Sequence, residues 1–478
     1  MNNSLPPPPI QPFERLRVMD GLLVNAHRWR LAHDYHRQRQ NFHYQSLHQP
    51  GIVCGLGICV ITAPAEVPPK FRDGRWLQIQ PGLALDLVGN PIVIAQPIEF
   101  HISSAVLPDE PLLVYVTVSY VDPDNLRRRG KGETVQETFR IDEKTTPPDE
   151  MEVELCRVLL QSGTIQLQSP NDVFFPEANT LDLRYRVQAK TRPQAVVHLA
   201  QLVSGSAEKD LSSPFSLHAA LAYLSRSVAS LYPAMQGAEA IGQIDLQDRE
   251  AIATVLDYDL VCLKNPASLG MQTQMVEVLR EYLQVGGTVL VEVTVEGTQL
   301  APLMAVKQQL EEGLTKLRER IARLELATSD AVSDTVLDLP VQKEDMEDLA
   351  SIRQDLEAEL NGIEAKLEAQ VFRMSSVFRD LAQQLGHSLE DLKHLAWNHP
   401  LRSHPFLFSA LPCLRGQSIQ LFIGGGIILV VGPLAAAWGL DPNLAQSRET
   451  IRTAQELGIN ILNFAWRRRQ MMQLVRQP

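Results

Sequence analysis

Between Tyr258 and Val295 the chain reads as a short apolar run (YDLVCL), a turn (KNPASLG), an amphipathic stretch over Met271–Val285, a Gly286–Gly287 stop and a second apolar run (TVLVEVTV). This order predicts strand, loop, helix, strand. A single crossover helix between two strands makes them parallel neighbours in one sheet. Such a sheet is covered on both faces, so its strands are continuous apolar runs rather than alternating ones. Ala195–Val203 and a helical segment over Pro214–Leu231 fit the same domain. So does the end of the chain, read as a strand at Ile427–Val431, a helix at Arg448–Leu457 stopped by Gly458, and a further apolar run at Asn460–Ala465.

The stretch Leu421–Leu440 carries no charged residue and is long enough to span a bilayer. Its glycines and Pro433 weaken a lone helix, and neither flank shows an anchor pattern. The buried reading is therefore a strand near Gly426–Val431, a Gly-Pro turn and a short apolar helix. A membrane anchor is the alternative.

A different period occupies the middle. Apolar residues recur at Leu303, Val306, Leu310, Leu314, Leu317, Ile321 and Leu324, and again from Leu349 through Leu356, Leu360, Ile363, Leu367 and Val371 to Leu385. Three-four spacing with charged flanks is a heptad pattern. The polar break Ala327–Pro340 lets the chain reverse. The pattern predicts an antiparallel coiled-coil hairpin whose second arm, if helical from 343 to 386, is about 66 Å long.

Upstream, residues 13–48 read as one polar helix with Asn25 or Asp20 as cap. His27, His33, His36, His43 and His48 lie on it. His33 and His36 share a face, but no further ligand completes a metal site, so the surface reads as partner-facing. Runs at Ile52–Ile61, Trp76–Gln80, Pro91–Ala95, Leu112–Tyr120 and Val153–Leu160, with turns at Asp73–Gly74 and Gly89–Asn90, predict an antiparallel sheet or sandwich. The charged excursion Asp122–Glu150, with Arg127–Arg129 and Pro147–Pro148, suits an exposed arm.

Composition narrows the function classes. A formal charge of −12 opposes a general nucleic-acid binder, and the basic run Arg467–Arg469 reads as a solvated helix end. Cys54, Cys59, Cys156, Cys262 and Cys413 form no C-x-x-C pair and no disulfide framework, which fits a reducing cytoplasm. The opening MNNSLPPPPIQP lacks a signal-peptide pattern and reads as a stiff arm. Cys262 is the candidate nucleophile. It sits inside a strand with no glycine beside it to form an elbow, and no histidine among His198, His218, His394, His399 and His404 has a recognisable spacing to it. Neither Gly424–Gly426 nor Gly286–Gly287 matches a phosphate-binding loop. Lys264–Asn265–Pro266 sits where α/β ligands bind, but reads as a rigid turn.

Two stretches resemble known families. DGLLVNAHRW…HYQSLHQPGIVCGLGI…PGLALDLVGNPIVI resembles proteins encoded with phage-tail-like contractile injection systems, in which a helix leads into a "GxVCGL" strand and a "PGxALD" hairpin. Here His48 and Gln49 stand where basic and aromatic residues are usual. FSLHAALAYLSRSV…YDLVCLKNPASLGMQTQMVEVLREYLQVGGTVLVEV, with HPLRSHPFLFSALP, GGIILVVGPLAAAWG and ELGINILNFAWRR, is similar to a domain of unknown function related to class I glutamine amidotransferases. Members have a flavodoxin-like sheet and often lack the catalytic triad. Together the resemblances imply a baseplate-associated structural component of a contractile injection system of cyanobacterial type.

The expected architecture is multidomain α+β: an N-terminal helix plus antiparallel β-domain, then a flavodoxin-like α/β domain interrupted by a long antiparallel coiled-coil hairpin. The expected boundaries are a Pro-rich arm (1–12), an adaptor (13–165), a connector (166–192), the first α/β half (193–300), the hairpin (301–390) and the second α/β half (391–478). No catalytic, cofactor or metal residue is expected, and the chain is expected to be cytoplasmic within a large particle. Partners are other baseplate and tail proteins, with sixfold-related copies implied by resemblance, no nucleic acid, and any membrane contact indirect. Residues expected to meet partners are His33, His36, Tyr44, Arg127, Arg128, Leu356, Ile363 and Leu367. An amidase using Cys262 and a membrane-anchoring subunit using 421–440 are the rival readings.

Overall fold

A computed structural model describes residues 8–107, 110–122, 136–161, 165–203, 216–245, 248, 253–264, 273–293, 300–330, 341–414, 417–439 and 446–476. The fold is mixed α+β, with several antiparallel sheets, and the chain divides into two compact units between Arg192 and Pro193.

In the first unit the N-terminal helix spans Ala26–Leu47, shorter than the expected 13–48. Asn25 starts it: its side chain accepts the Arg28 N–H at 2.9 Å, satisfying a donor that the first turn leaves free. Ahead of it the chain turns at Gly21, whose φ is +78°. Three three-stranded antiparallel sheets follow, in spatial orders 51–55/82–85/91–94, 58–61/76–79/98–101 and 152–160/112–121/138–144. The single strand expected over Ile52–Ile61 is two strands, because Gly55 and Leu56 both take left-handed backbone, at φ +66° and +55°. The excursion 122–150 is not all arm, since Thr138–Lys144 returns to pair with Leu112–Val121. Residues 166–192 are no connector. Bridges at Gln166, Gln168, Asp182 and Gln188, and the pairing of Lys190–Thr191 with His48–Gln49, tie them into this unit.

The second unit is built on a seven-stranded sheet in the order 242–245, 199–203, 260–264, 288–293, 427–431, 420–424, 390–391. The first five are parallel and the last two antiparallel. Ile427–Val431 is wholly buried between neighbours, which explains the uncharged run: Leu421–Gly439 is a hairpin at Gly425–Gly426, a turn at Gly432 and a 3-10 turn at Ala435–Ala437. No helix among the described residues is long and apolar enough to cross a membrane. Helices Leu217–Leu231 and Arg448–Arg476 cover one face, and Thr273–Gln284 with the roots of two long helices covers the other.

Arg448–Arg476 is one continuous helix, so Gly458 does not end it, and the run Asn460–Ala465 is its buried middle rather than a strand. Gly458 is present because two neighbours press on it. A Cβ there would lie 2.8 Å from Leu224 Cδ1 and 2.9 Å from Trp438 Nε1. The Trp438 indole is itself fixed by donating to the Ala454 carbonyl at 2.7 Å.

The long helices are Leu300–Asp330 and Val341–Met374. Lys307 pairs with Glu364 at 2.6 Å and Arg318 with Glu357 at 3.3 Å, so one index rises as the other falls and the helices run in opposite directions. The second spans about 51 Å rather than 66 Å. It stops because Ser375, fully buried, turns its hydroxyl back onto the Val371 carbonyl and leaves helical geometry. A separate helix, Ser376–Gln384, follows. The reversal between them, 331–340, lies outside the described residues.

Gly458→Ala tests the packing account. Helix propensity favours alanine by about 1 kcal/mol, while overpacking costs about 1–3 kcal/mol. Leu224 and Trp438 are 1% and 2% exposed and cannot move aside, so the clash wins. We expect a net loss of about 1 kcal/mol or more in urea unfolding. A variant as stable as the parent would remove the packing explanation.

Candidate functional site

The "GIVCGL" and "PGLALD" motifs meet in the structure. Gly55 pairs with Gly82 across the antiparallel ladder, and neither has room for a side chain. A Cβ on Gly55 would lie 2.2 Å from the Pro81 carbonyl oxygen, and one on Gly82 would lie 2.3 Å from the Leu56 nitrogen. The contact turns the strand and drives Leu56, fully buried, into the core. Arg186 then closes the corner, donating to the Leu56 carbonyl at 2.7 Å and the Gly55 carbonyl at 3.2 Å.

The following turn, Asp86–Asn90, seats the helix. Asp86 is buried and accepts the Asn90 backbone and side-chain N–H groups at 2.7 and 2.8 Å. Burial pushes its carboxyl above the ordinary range, against those hydrogen bonds. Gly89, at φ +83°, lies against the Asn41 carbonyl of the helix, 2.6 Å from where a Cβ would be. The side-chain amides of Asn41 and Asn90 meet at 2.7 Å, and Gln45 donates to the Val88 carbonyl. Elsewhere the helix is held more lightly, by Arg37 paired with Asp122 at 3.1 Å and by Phe13 against Tyr35 and Phe42. None of the helix's 22 residues is fully buried, and Trp29 is 60% exposed. A helix left polar and open along its length needs support from elsewhere or meets another surface.

Beside these motifs lies a feature that pattern reading passed over. Val173, Phe174 and Phe175 are 59%, 70% and 76% exposed, in the segment read as a connector. Their backbone is fixed. Asp172 accepts the Phe174 N–H at 2.8 Å through its side chain and the Phe175 N–H at 3.1 Å through its carbonyl. Arg184 donates to the Phe174 carbonyl at 3.0 Å while held by two bonds to Asp182. The Arg184 side chain in turn lowers the Asp182 carboxyl below its ordinary range. The sequence signal was three consecutive apolar residues between Asn171–Asp172 and Pro176.

The partner-facing residues expected from sequence separate into three groups. His33 and His36 are exposed on the helix, with their rings against Trp29 and Tyr35 respectively, while Tyr44 is half-buried against the Gly89 turn. Arg127 and Arg128 lie outside the described residues. Leu356 is half-buried beside the Arg318–Glu357 pair. Leu367, 3% exposed, belongs to the core of the second unit and Ile363 packs against that core, so neither is free to meet a partner.

The residues of the second unit weighed for chemistry take the following places. Cys262 is 1% exposed in mid-strand, and burial, with the nearby Glu292, raises its thiol well above the range in which a thiolate forms. Asp259 takes the His198 N–H at 2.8 Å and lies 3.6 Å from Arg469. Arg468 and Arg469 are no solvated helix end. Arg468 donates to the carbonyls of Leu283, Gly287 and Gly425, and Arg469 to those of Leu256 and Tyr258. The glycine run forms the tight hairpin through which Gly426 lies against the Arg468 guanidinium. Asn265 and Pro266, with the rest of 265–272, lie outside the described residues. Among the described residues no group of three or more His, Cys, Asp or Glu comes together to hold a metal ion.

Comparison with family models, curated proteins and solved structures found no match to the chain.

One buried acid remains. Glu292, 4% exposed in the central strand, accepts the Ala435 N–H at 2.7 Å and stands in register with Lys264. Desolvation pushes its carboxyl up to about 7, against the Ala435 hydrogen bond and Lys264. Because the folded value exceeds the unfolded one, its contribution is fully present below about pH 4.5 and is lost as pH rises through about 7. A shift of this size is worth on the order of 3 kcal/mol. Thermal unfolding of the parent and Glu292→Gln across that window should show the parent losing ground to the variant as pH rises. A constant difference would contradict the assignment.

Proposed function

We propose that the chain is a non-enzymatic assembly protein, a baseplate-associated component of a phage-tail-like contractile injection system that docks other subunits. The observation that carries the docking role is the Val173–Phe175 loop, in which two phenylalanines are held toward solvent by a backbone tied to Asp172 and Arg184. Interfaces draw much of their energy from aromatic side chains in desolvated centres, and a pre-ordered loop loses little entropy on docking. The open helix carrying Trp29, His33 and His36 supplies a second surface. The baseplate assignment rests on the resemblance of the N-terminal motifs, whose glycines have the packing roles described above.

In this reading the second unit is a flavodoxin-like scaffold of degenerate amidotransferase type. Its heptad helices form an antiparallel coiled-coil hairpin inserted between the two halves of the sheet. The protein works in the cytoplasm as part of the assembled particle, in multiple copies, without cofactor or nucleic acid. The burial of Cys262 tells against the amidase reading, and the pairing of Gln420–Gly424 and Ile427–Val431 within the sheet tells against the membrane reading.

The test is co-sedimentation with sheath and tube particles. Phe174→Ser with Phe175→Ser should leave stability within about 0.5 kcal/mol, as surface changes do, and should remove the protein from the particle fraction. If the parent never sediments with such particles and baseplates form without it, the proposal fails.

A further inference from the structure

Within the second unit a cavity of about 430 Å³ opens between the root of the helix Leu300–Asp330 and the chain from Leu392 to Gln420. Met304, Leu392, Phe408, Leu411 and Ile419 give it an apolar wall. Two cations, Arg402 and Lys393, join that wall, and neither forms an ion pair with a described residue.

Arg402 is the unusual group. It is 9% exposed, yet only one of its donors is used, Nη1 to the Leu395 carbonyl at 3.0 Å. Its guanidinium is stacked on Trp397, with Cζ 4.1 Å from the ring centroid, which fixes the plane of the fork. Arg402 lines the cavity, and its remaining guanidinium donors have no partner among the described residues. Desolvating a guanidinium without a counter-charge is costly, and a planar fork matches a carboxylate in two parallel hydrogen bonds. The other cation at the cavity, Lys307, is already neutralised by Glu364 at 2.6 Å and Glu311 at 3.7 Å. The uncompensated charge therefore sits at the Arg402 and Lys393 end, beside the Phe408 and Leu411 wall.

We infer that this cavity binds a small molecule joining an apolar body to a carboxylate, with Arg402 taking the carboxylate, Lys393 adding charge at the rim, and Phe408, Leu411 and Ile419 enclosing the apolar part. The volume falls within the range of small-molecule sites, and the lining joins its apolar residues to polar ones, Gln308, Ser409, Gln420 and Glu311 among them. The inference does not rest on the docking role proposed above, since the residues differ and lie in the other unit.

Calorimetric titration of the full chain with phenylbutyrate, phenylbutanol and phenylbutylamine tests it. The carboxylate is expected to bind at least about tenfold more tightly than the alcohol, and the amine more weakly than either. Arg402→Gln should abolish the preference for carboxylate over alcohol while the alcohol still binds. Lys393→Gln, at an exposed position whose loss leaves the core intact, should reduce that preference by about two- to threefold. Leu411→Trp should weaken both by filling the cavity. Absence of binding, equal affinity for carboxylate and alcohol, or a preference unchanged in Lys393→Gln would each overturn the inference, even if Arg402→Gln fails to fold.

Discussion

The contact of Gly55 with Gly82 governs the first unit. Two backbones approach closely enough there that a methyl group on either would collide with main-chain atoms, which no rotamer change can relieve. The approach turns the first strand into two, and places Leu56 in the core. The corner so formed exposes the carbonyls of Gly55 and Leu56, which Arg186 collects from the segment that also displays Phe174 and Phe175. The Val173–Phe175 loop is thus anchored through its own chain to the place where the two motifs meet.

In the second unit a comparable role falls to arginines. The carbonyls that Arg468 and Arg469 collect lie on the Gly425 hairpin, on Leu283 and Gly287 ahead of the central strand, and on the turn before the neighbouring one. Burial lowers the tendency of Arg468 to hold its charge, and the ring of carbonyl dipoles offsets that cost. One helix end therefore ties several separate segments of the sheet together.

Much of the fold was legible because it follows period and punctuation. The run YDLVCL and the Gly-Gly stop marked parallel strands at 260–264 and 288–293, and apolar continuity marked the buried strand at 427–431. Helix boundaries failed where tertiary contacts overrode local rules. Gly458 reads as a stop, yet a glycine is also what lets Leu224 and Trp438 pack against a helix that continues. Ser375 reads as part of a heptad arm, yet its hydroxyl returns to the preceding turn and breaks it. The exposed phenylalanines were missed because a short apolar run among polar residues gives no periodic signal, and the loop is held by hydrogen bonds to Asp172 and from Arg184 that no periodicity encodes. Arg402 was equally hidden, since its lack of an acidic partner among the described residues is a fact of space and not of spacing.

The roots of the two long helices have a mechanical meaning. Leu300, Met304, Leu367 and Val371 are buried in the same cluster as the strands Val289–Val293 and Ile427–Val431. Each long helix is therefore a stiff lever whose short arm ends inside the central sheet. A pull or twist delivered farther along either helix would reach the sheet through these buried side chains. The two helices are thus rooted in the core of the second unit rather than hung from its surface.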